Sequence, residues 1–295
     1  MSPPCIRKCE ECGGWKILEL LHRLPQQTAN VACLATVGWK CVSAHLELLQ
    51  MLFLWRLLLL PIQCIYKQVT LARLHYVLYD NKENKRIGPI SGMVSAFRKH
   101  GLLGLLDTAV KTGKPLPFKE FKKIARDHID SKEKARFQIS CMIYETLNVY
   151  TECIKQIQIW PWWILAHRHP DLTHKVQILC RLMLNQNCLQ SSVHHYTKDT
   201  PACKLCECNM SETPSHLIFT CSKLESLRKE LWSQAMLSIP HAMLEELNKM
   251  DSDEKTVFIL SGFHSPFTHE WEETYTHLAN FIATLYCRRR DCEIH

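Results

Sequence analysis

Glycine is scarce in this chain: nine residues in 295. No glycine-rich turn of the kind that cradles nucleotide phosphates occurs, which removes P-loop and dinucleotide-fold enzymes from consideration. There is no internal repeat and no low-complexity run. No Cys/His pair sits in a recognisable nucleophile motif, so an enzyme is the weakest of the functional readings. Met1-Ser-Pro-Pro-Cys5 lacks the apolar run of a secretory signal. The chain also lacks an uninterrupted apolar window of the ~20 residues that a membrane span requires.

What is present is a helical, globular composition, with 46% hydrophobic and 22% charged residues. Runs of Leu, Lys, Glu and Gln with so few glycines favour helices, and the expected fold class is all-α. The length suffices for one large domain or two small ones. Sixteen cysteines without an export signal point to a reducing, intracellular compartment, nuclear or cytoplasmic alike, with thiols free or metal-bound.

The cysteines and histidines are not evenly informative. Cys203-Lys-Leu-Cys206 is followed after nine residues by His216, and after four more by Cys221. Two thiols two residues apart can grip one ion from a tight turn. On a helix, His216 and Cys221 would lie little more than one turn apart. Three sulfurs and an imidazole are the set that tetrahedral Zn²⁺ prefers, and a sphere closed by four protein ligands is structural, not hydrolytic. Cys208 is a spare that could replace Cys206 or stay free. The bland alternative, inert core thiols, fits poorly because the segment is polar. Pro214 and its neighbours read as a helix start, with Leu217, Ile218, Leu224, Leu227, Leu231 and Trp232 continuing at helical spacing. Cys9-x-x-Cys12 with His22 has similar spacing but no second ligand pair, and reads as loop cysteines.

The formal charge of +7 is concentrated. Between Asp80 and Arg136 there are fourteen Lys/Arg and seven Asp/Glu, a surplus of 14 − 7 = 7. Lys119, Lys122, Lys123 and Arg126 recur three to four apart, giving one helix a basic face. That is either an ordinary solvated face or a phosphate contact, and the clustering favours the latter.

In chain order, short helices are expected over 15–24 and 31–37. The most apolar stretch, Ser43 to Leu60, is broken by Glu47, Gln50 and Arg56. Charges near a span centre cost about 2.5–3.5 kcal/mol each, so a core helix is expected there and no membrane span. Helices follow over 63–79, over 90–110 with a hinge at Gly101, over 118–127, and over 131–149. Trp160-Pro161-Trp162-Trp163 could stack on nucleobases, but tryptophans around a proline more often pack as a core turn. Further helices are expected over 172–183 and 240–250, then one capped by Asp251-Ser-Asp-Glu254, then a last one over 270–290. The polar connector Asp80–Pro89 suggests domains at 1–80, 81–200 and 201–295.

The zinc segment and its flanks resemble the C-terminal region of non-LTR (LINE-type) retrotransposon reverse transcriptases. The residues that carry this are Cys203-x-x-Cys206, Glu212-Thr213-x-x-His216-Leu-Ile-Phe-x-Cys221 and Leu227-Arg228-x-x-Leu231-Trp232. They look like the family's zinc-binding tail. Arg23-Leu-Pro25-x-x-Thr28-Ala-Asn30, Leu34, Val37-Gly38-Trp39 and Ser43-Ala-His-Leu-Glu-Leu-Leu49 look like the helices after the polymerase thumb. The family's polymerase needs a paired Asp-Asp to hold Mg²⁺, and none occurs here. The resemblance therefore implies a detached, non-catalytic tail that binds RNA or DNA, with a reverse-transcriptase core as a further partner. Zinc would be held by Cys203, Cys206, His216 and Cys221. Phosphates would meet Lys119, Lys122, Lys123, Arg126, Lys204, Arg228, Arg288, Arg289 and Arg290. The rival is an interaction scaffold whose leucine-rich helices over 44–79 pack on another protein and leave an apolar patch exposed without it.

Overall fold

A computed structural model describes residues 30–79, 88–144, 147–154, 157–206, 208–263 and 271–291. The cysteines at 5, 9 and 12, His22, the helix expected over 15–24 and most of the Arg23–Asn30 stretch lie outside the described residues. So does most of the connector at 80–87. The fold is all-α. Among the described residues there is no strand, only isolated bridges pairing Val37 with Ile159 and Ala202 with Ser211.

In chain order the α-helices are α1 (Asn30–Thr36), α2 (Val42–Leu59), α3 (Ile65–Tyr79), α4 (Pro89–Lys99) and α5 (Leu103–Thr112). Then come α6 (Phe118–Ile143), α7 (Asn148–Cys153), α8 (Pro161–Arg168), α9 (Thr173–Met183) and α10 (Gln190–Thr197). The last are α11 (Glu225–Leu237), α12 (His241–Lys249), α13 (Ser252–Ser261) and α14 (Glu272–Asp291). The contacts group the described residues into two compact units, 40–138 and 30–39 with 139–291, so the division falls inside α6.

The first unit is built around aromatic packing. Trp55 of α2 stacks on Phe121 of α6 at 3.9 Å and faces Phe97 of α4 at 6.2 Å, all three fully buried. The indole N–H donates to the Leu116 carbonyl at 3.0 Å, so the one polar atom of the ring is satisfied. Two charges that interrupt α2 in the sequence also find partners. The Arg56 guanidinium lies 4.7 Å from the Phe118 ring centre, and Glu47 accepts hydrogen bonds from Lys99 and His100. The expectation of a core helix describes only one face of α2. Met51, Leu54, Trp55 and Leu58 are buried, whereas Leu46, Leu49 and Phe53 are about half exposed. By length and composition alone α2 could cross a membrane, with a mean hydropathy of 1.4 and 33% of its 18 residues buried.

α6 is one continuous helix of 26 residues, not the two that were expected. Phe121, Ala125, Ile129, Glu133 and Phe137 recur every four residues as its buried row, which carries the helix through the polar Asp130-Ser131 step. Ile139, Met142 and Ile143, at the end of this helix, are exposed.

In the second unit, Trp160 and Trp162 are fully buried, as the core reading of that segment required. Their indole N–H groups donate to the carbonyls of Leu260 and Ile259 at 2.8 and 3.2 Å. Those carbonyls belong to the end of α13, whose N-terminus has the expected capping box of Asp251 and Glu254. The helix stops at Gly262, with φ of +80° and a would-be Cβ only 2.8 Å from the Pro161 ring. No other residue type suits that position. α14 then runs through the middle of this unit and packs on α9 and α11.

Candidate metal centre

The centre is assembled by two short turns. Cys203 N–H donates to the Met210 carbonyl and Glu212 N–H to that of Pro201, each at 2.8 Å, closing a small hairpin that carries Cys203, Cys206 and Cys208. Asn209 occupies the left-handed region at its tip, with φ of +53°. The other two groups come from a single wide turn at His216–Thr220, opened where Thr213 Oγ1 accepts from His216 N–H at 3.1 Å. Its closing bond runs from Cys221 N–H to the His216 carbonyl at 2.8 Å, five residues back. The ordinary helix face expected for this pair is therefore replaced by a π turn. Cys221 follows it in extended backbone, and a 3₁₀ turn at Ser222–Leu224 separates it from α11. The helix expected to start near Pro214 and continue through Trp232 begins only at Glu225.

These turns bring the ligand atoms of Cys203, Cys206, His216 and Cys221 within 4.8 Å of one another, and all four residues are buried. Metal–sulfur bonds of about 2.3 Å and metal–nitrogen bonds of about 2.0 Å set tetrahedral ligand atoms roughly 3.5–3.8 Å apart. The cluster is compact enough for one ion, with Cys206 Sγ already 3.2 Å from His216 Nε2. Thr220 Oγ1 lies 3.0 Å from His216 Nδ1. An Nδ1–H donated to that hydroxyl leaves the Nε2 lone pair for a metal, the outer-shell arrangement that usually supports a histidine ligand. Cys208 Sγ lies 2.8 Å from Cys206 Sγ, but Cys208 is exposed and outside the buried set.

Burial acts on the protonation of all four groups. Burial lowers the His216 pKa and so favours the neutral imidazole. Burial pushes the Cys203 thiol up to about 12 and raises that of Cys221. Cys206 also feels burial, but hydrogen bonds from its neighbours, Cys208 first, outweigh it and hold that thiol below its usual value. A divalent ion entering here would displace thiol protons, as ligand binding by cysteine requires.

The surrounding cations are not where a phosphate would need all of them. Arg289 was expected to meet phosphate, but it is fully buried. It forms a two-pronged pair with Glu212, Nε to Oε1 at 2.6 Å and Nη2 to Oε2 at 2.9 Å. Glu212 Oε2 also accepts from Gln190 N–H at 2.8 Å, and Cys203 Sγ lies 3.7 Å from Oε1. The carboxylate thus ties the metal hairpin to α10 and α14. Arg228 is likewise committed to structure: its Nε donates to the Ile218 carbonyl at 2.8 Å and its Nη2 to that of Cys221 at 2.6 Å. Lys204 pairs with Asp199 at 3.0 Å on the surface.

Arg288 and Arg290 are exposed in the last turn of α14, where their charge also suits the helix dipole. Lys119, Lys123 and Arg126 are exposed along α6 and Lys122 half-buried, opposite its buried row; no carboxylate pairs with these four among the described residues. They belong to the first unit, and the metal cluster to the second. Sequence reasoning placed Glu212 in the motif without giving it a role, and missed Thr220 as part of the site. Thr220 was within reach of inspection, four residues beyond His216, whereas nothing local ties Glu212 to a partner 77 positions away.

The chain matches no protein-family model, no curated protein and no solved structure.

Proposed function

We propose that this chain is a non-catalytic nucleic-acid-binding module whose second unit is organised by a structural Zn²⁺ held by Cys203, Cys206, His216 and Cys221. The observation that carries this reading is the convergence of three thiols and one imidazole inside a buried radius of single-ion size. It suits zinc by donor type, and a sphere filled by protein ligands leaves no open position for hydrolysis. The basic face of α6, partly neutralised by Glu120 and Asp127 but with no ion pair to its four cations among the described residues, supports phosphate contact, and the resemblance to a non-LTR reverse-transcriptase tail points the same way.

The test is twofold. Mass spectrometry of metal in the purified chain should find about one zinc per molecule. Gel-shift titration with structured RNA and duplex DNA should show binding that weakens steeply with salt, as phosphate contact demands. Absent or salt-insensitive binding defeats the reading.

A second reading is favoured by one specific feature. α2 and α3 leave Leu46, Leu49, Phe53, Ile65, Tyr66 and Val69 between 49% and 70% exposed. A helical scaffold packing on a separate polymerase or another protein would cover such a face. Its distinguishing result is aggregation of the isolated chain that is relieved when Leu49 and Phe53 are made polar, with no nucleic-acid binding at any salt.

A further inference from the structure

Within the second unit, a cleft of about 600 Å³ opens where α9, α11 and α14 meet. Four basic side chains line it: His174 and Lys175 from α9, Lys223 from the turn before α11, and Arg288 from α14. Asp291 is the one carboxylate among the lining residues. No carboxylate pairs with Lys223 or Arg288 among the described residues, and Glu225 beside them is held by Lys229 at 2.6 Å.

The placement of these charges is itself unusual. His174 and Lys175 sit in the first turn of α9, and Lys223 and Ser226 flank the start of α11. Both helices begin without a side-chain cap, at Leu172 and Leu224. A helix N-terminus already carries partial positive charge and normally attracts acids. α11 does have an acid in its first turn, Glu225, whereas α9 has none; the lysines at these ends oppose the dipoles unless an anion comes between them. Leu227 and Ala283 add an apolar lining, which suits the sugar or base attached to a phosphate.

We propose that this cleft is a phosphate-binding site that seats a backbone phosphate of a nucleic acid, with Lys223 and Arg288 as its contacts and Lys175, which donates to Asn280 Oδ1, beside them. The proposal rests on the nucleic-acid reading above and gives it a location in the metal-bearing unit. Arg288 contributes to it from an Arg-Arg-Arg run in which only Arg289 is buried, while His174, Lys175 and Lys223 carry no motif in the sequence.

The experiment uses the full zinc-loaded chain and a fluorescein-labelled single-stranded RNA of about 20 nucleotides, with anisotropy read across about 50 to 200 mM KCl. The double variant Lys223→Gln, Arg288→Gln changes only exposed side chains, and Lys249→Gln serves as a surface-charge control. Loss of the seated phosphate should reduce the slope of log K against log salt by about 0.7, with no change in the control. In a second arm, inorganic phosphate is titrated by ³¹P NMR. Saturable phosphate binding lost in the double variant, with an unchanged RNA slope, keeps the phosphate site but assigns it to a small phosphate ester. An unchanged slope together with no variant-sensitive phosphate binding overturns the proposal. If the wild type binds no RNA at any salt, the functional reading fails, and the cleft is then decided by the inorganic phosphate arm alone.

Discussion

Glu47 and Glu212 divide the molecule between them. In the first unit, Glu47 meets Lys99 and His100 with its side chain 19% exposed, at the margin of an apolar core centred on Trp55. In the second, Glu212 meets Arg289 with 1% and 0% exposure, beside four buried metal-type ligands. Apart from Glu133 on the buried row of α6, the first unit keeps its carboxylates at the edge and holds itself by ring stacking and aliphatic burial. The second places a complete ion pair and a thiol cluster inside. Burial changes the consequence of the same chemistry: a half-solvated pair can be lost cheaply, whereas a lone buried charge cannot.

The largest way to test that contrast is to take the metal away. A structural zinc contributes apparent binding energies of about 10–16 kcal/mol in small zinc-folded peptides, and that energy is folding energy. Chelation, or Cys221→Ser, should remove amide-exchange protection from residues 201–224 and the start of α11. Protection of α2 and α4 should be unchanged. Chelated protein with intact protection over 201–224 would show that the hairpin and π turn stand without an ion.

The buried pair comes next. Glu212→Gln keeps an acceptor for Gln190 N–H but removes the carboxylate charge that meets Arg289, and breaking such pairs costs about 3–5 kcal/mol. Pairing it with Arg289→Met removes the buried charge and should recover most of the loss. A double-mutant cycle in denaturant measures the coupling, and additive losses would mean that the pair is not what holds α14 to the hairpin.

The reach of sequence reasoning follows the same line. Helices α2, α4, α5 and α13 were legible because their cause is local: apolar periodicity, a glycine hinge and a capping box. The four residues of the Cys/His cluster were legible because donor type and spacing are local too. α6 was split in error because Asp130-Ser131 looks like a break, while the row from Phe121 to Phe137 that overrides it is a tertiary effect. Arg288-Arg289-Arg290 looked like one patch, but successive helical residues point about 100° apart. Arg289 follows Leu278, Ile282 and Leu285 on the buried row, and that periodicity could have exposed it. Its carboxylate partner 77 residues earlier could not be read, since no local rule links the two.

Glu47 supplies the smallest and most diagnostic effect. Burial, the strongest single influence, raises its pKa, but the hydrogen bonds and charges of Lys99 and His100 together outweigh it and leave the value below the ordinary 4.5. A carboxyl whose folded pKa is depressed stabilises the fold above its unfolded pKa and loses that contribution as pH falls through the folded one. The first unit should therefore lose protection in α2 and α4 as acid is added below about pH 4.5, in part because Glu47 protonates. Glu47→Gln should cost about 1 kcal/mol at neutral pH, because the pair is partly solvated. It should also flatten the acid limb of the stability curve, measured by denaturant midpoints between about pH 3 and 7. A loss at neutral pH matching that of Glu212→Gln would mean that burial does not separate the two carboxylates after all. The distinction between an edge-charged and a core-charged unit would then fall with it.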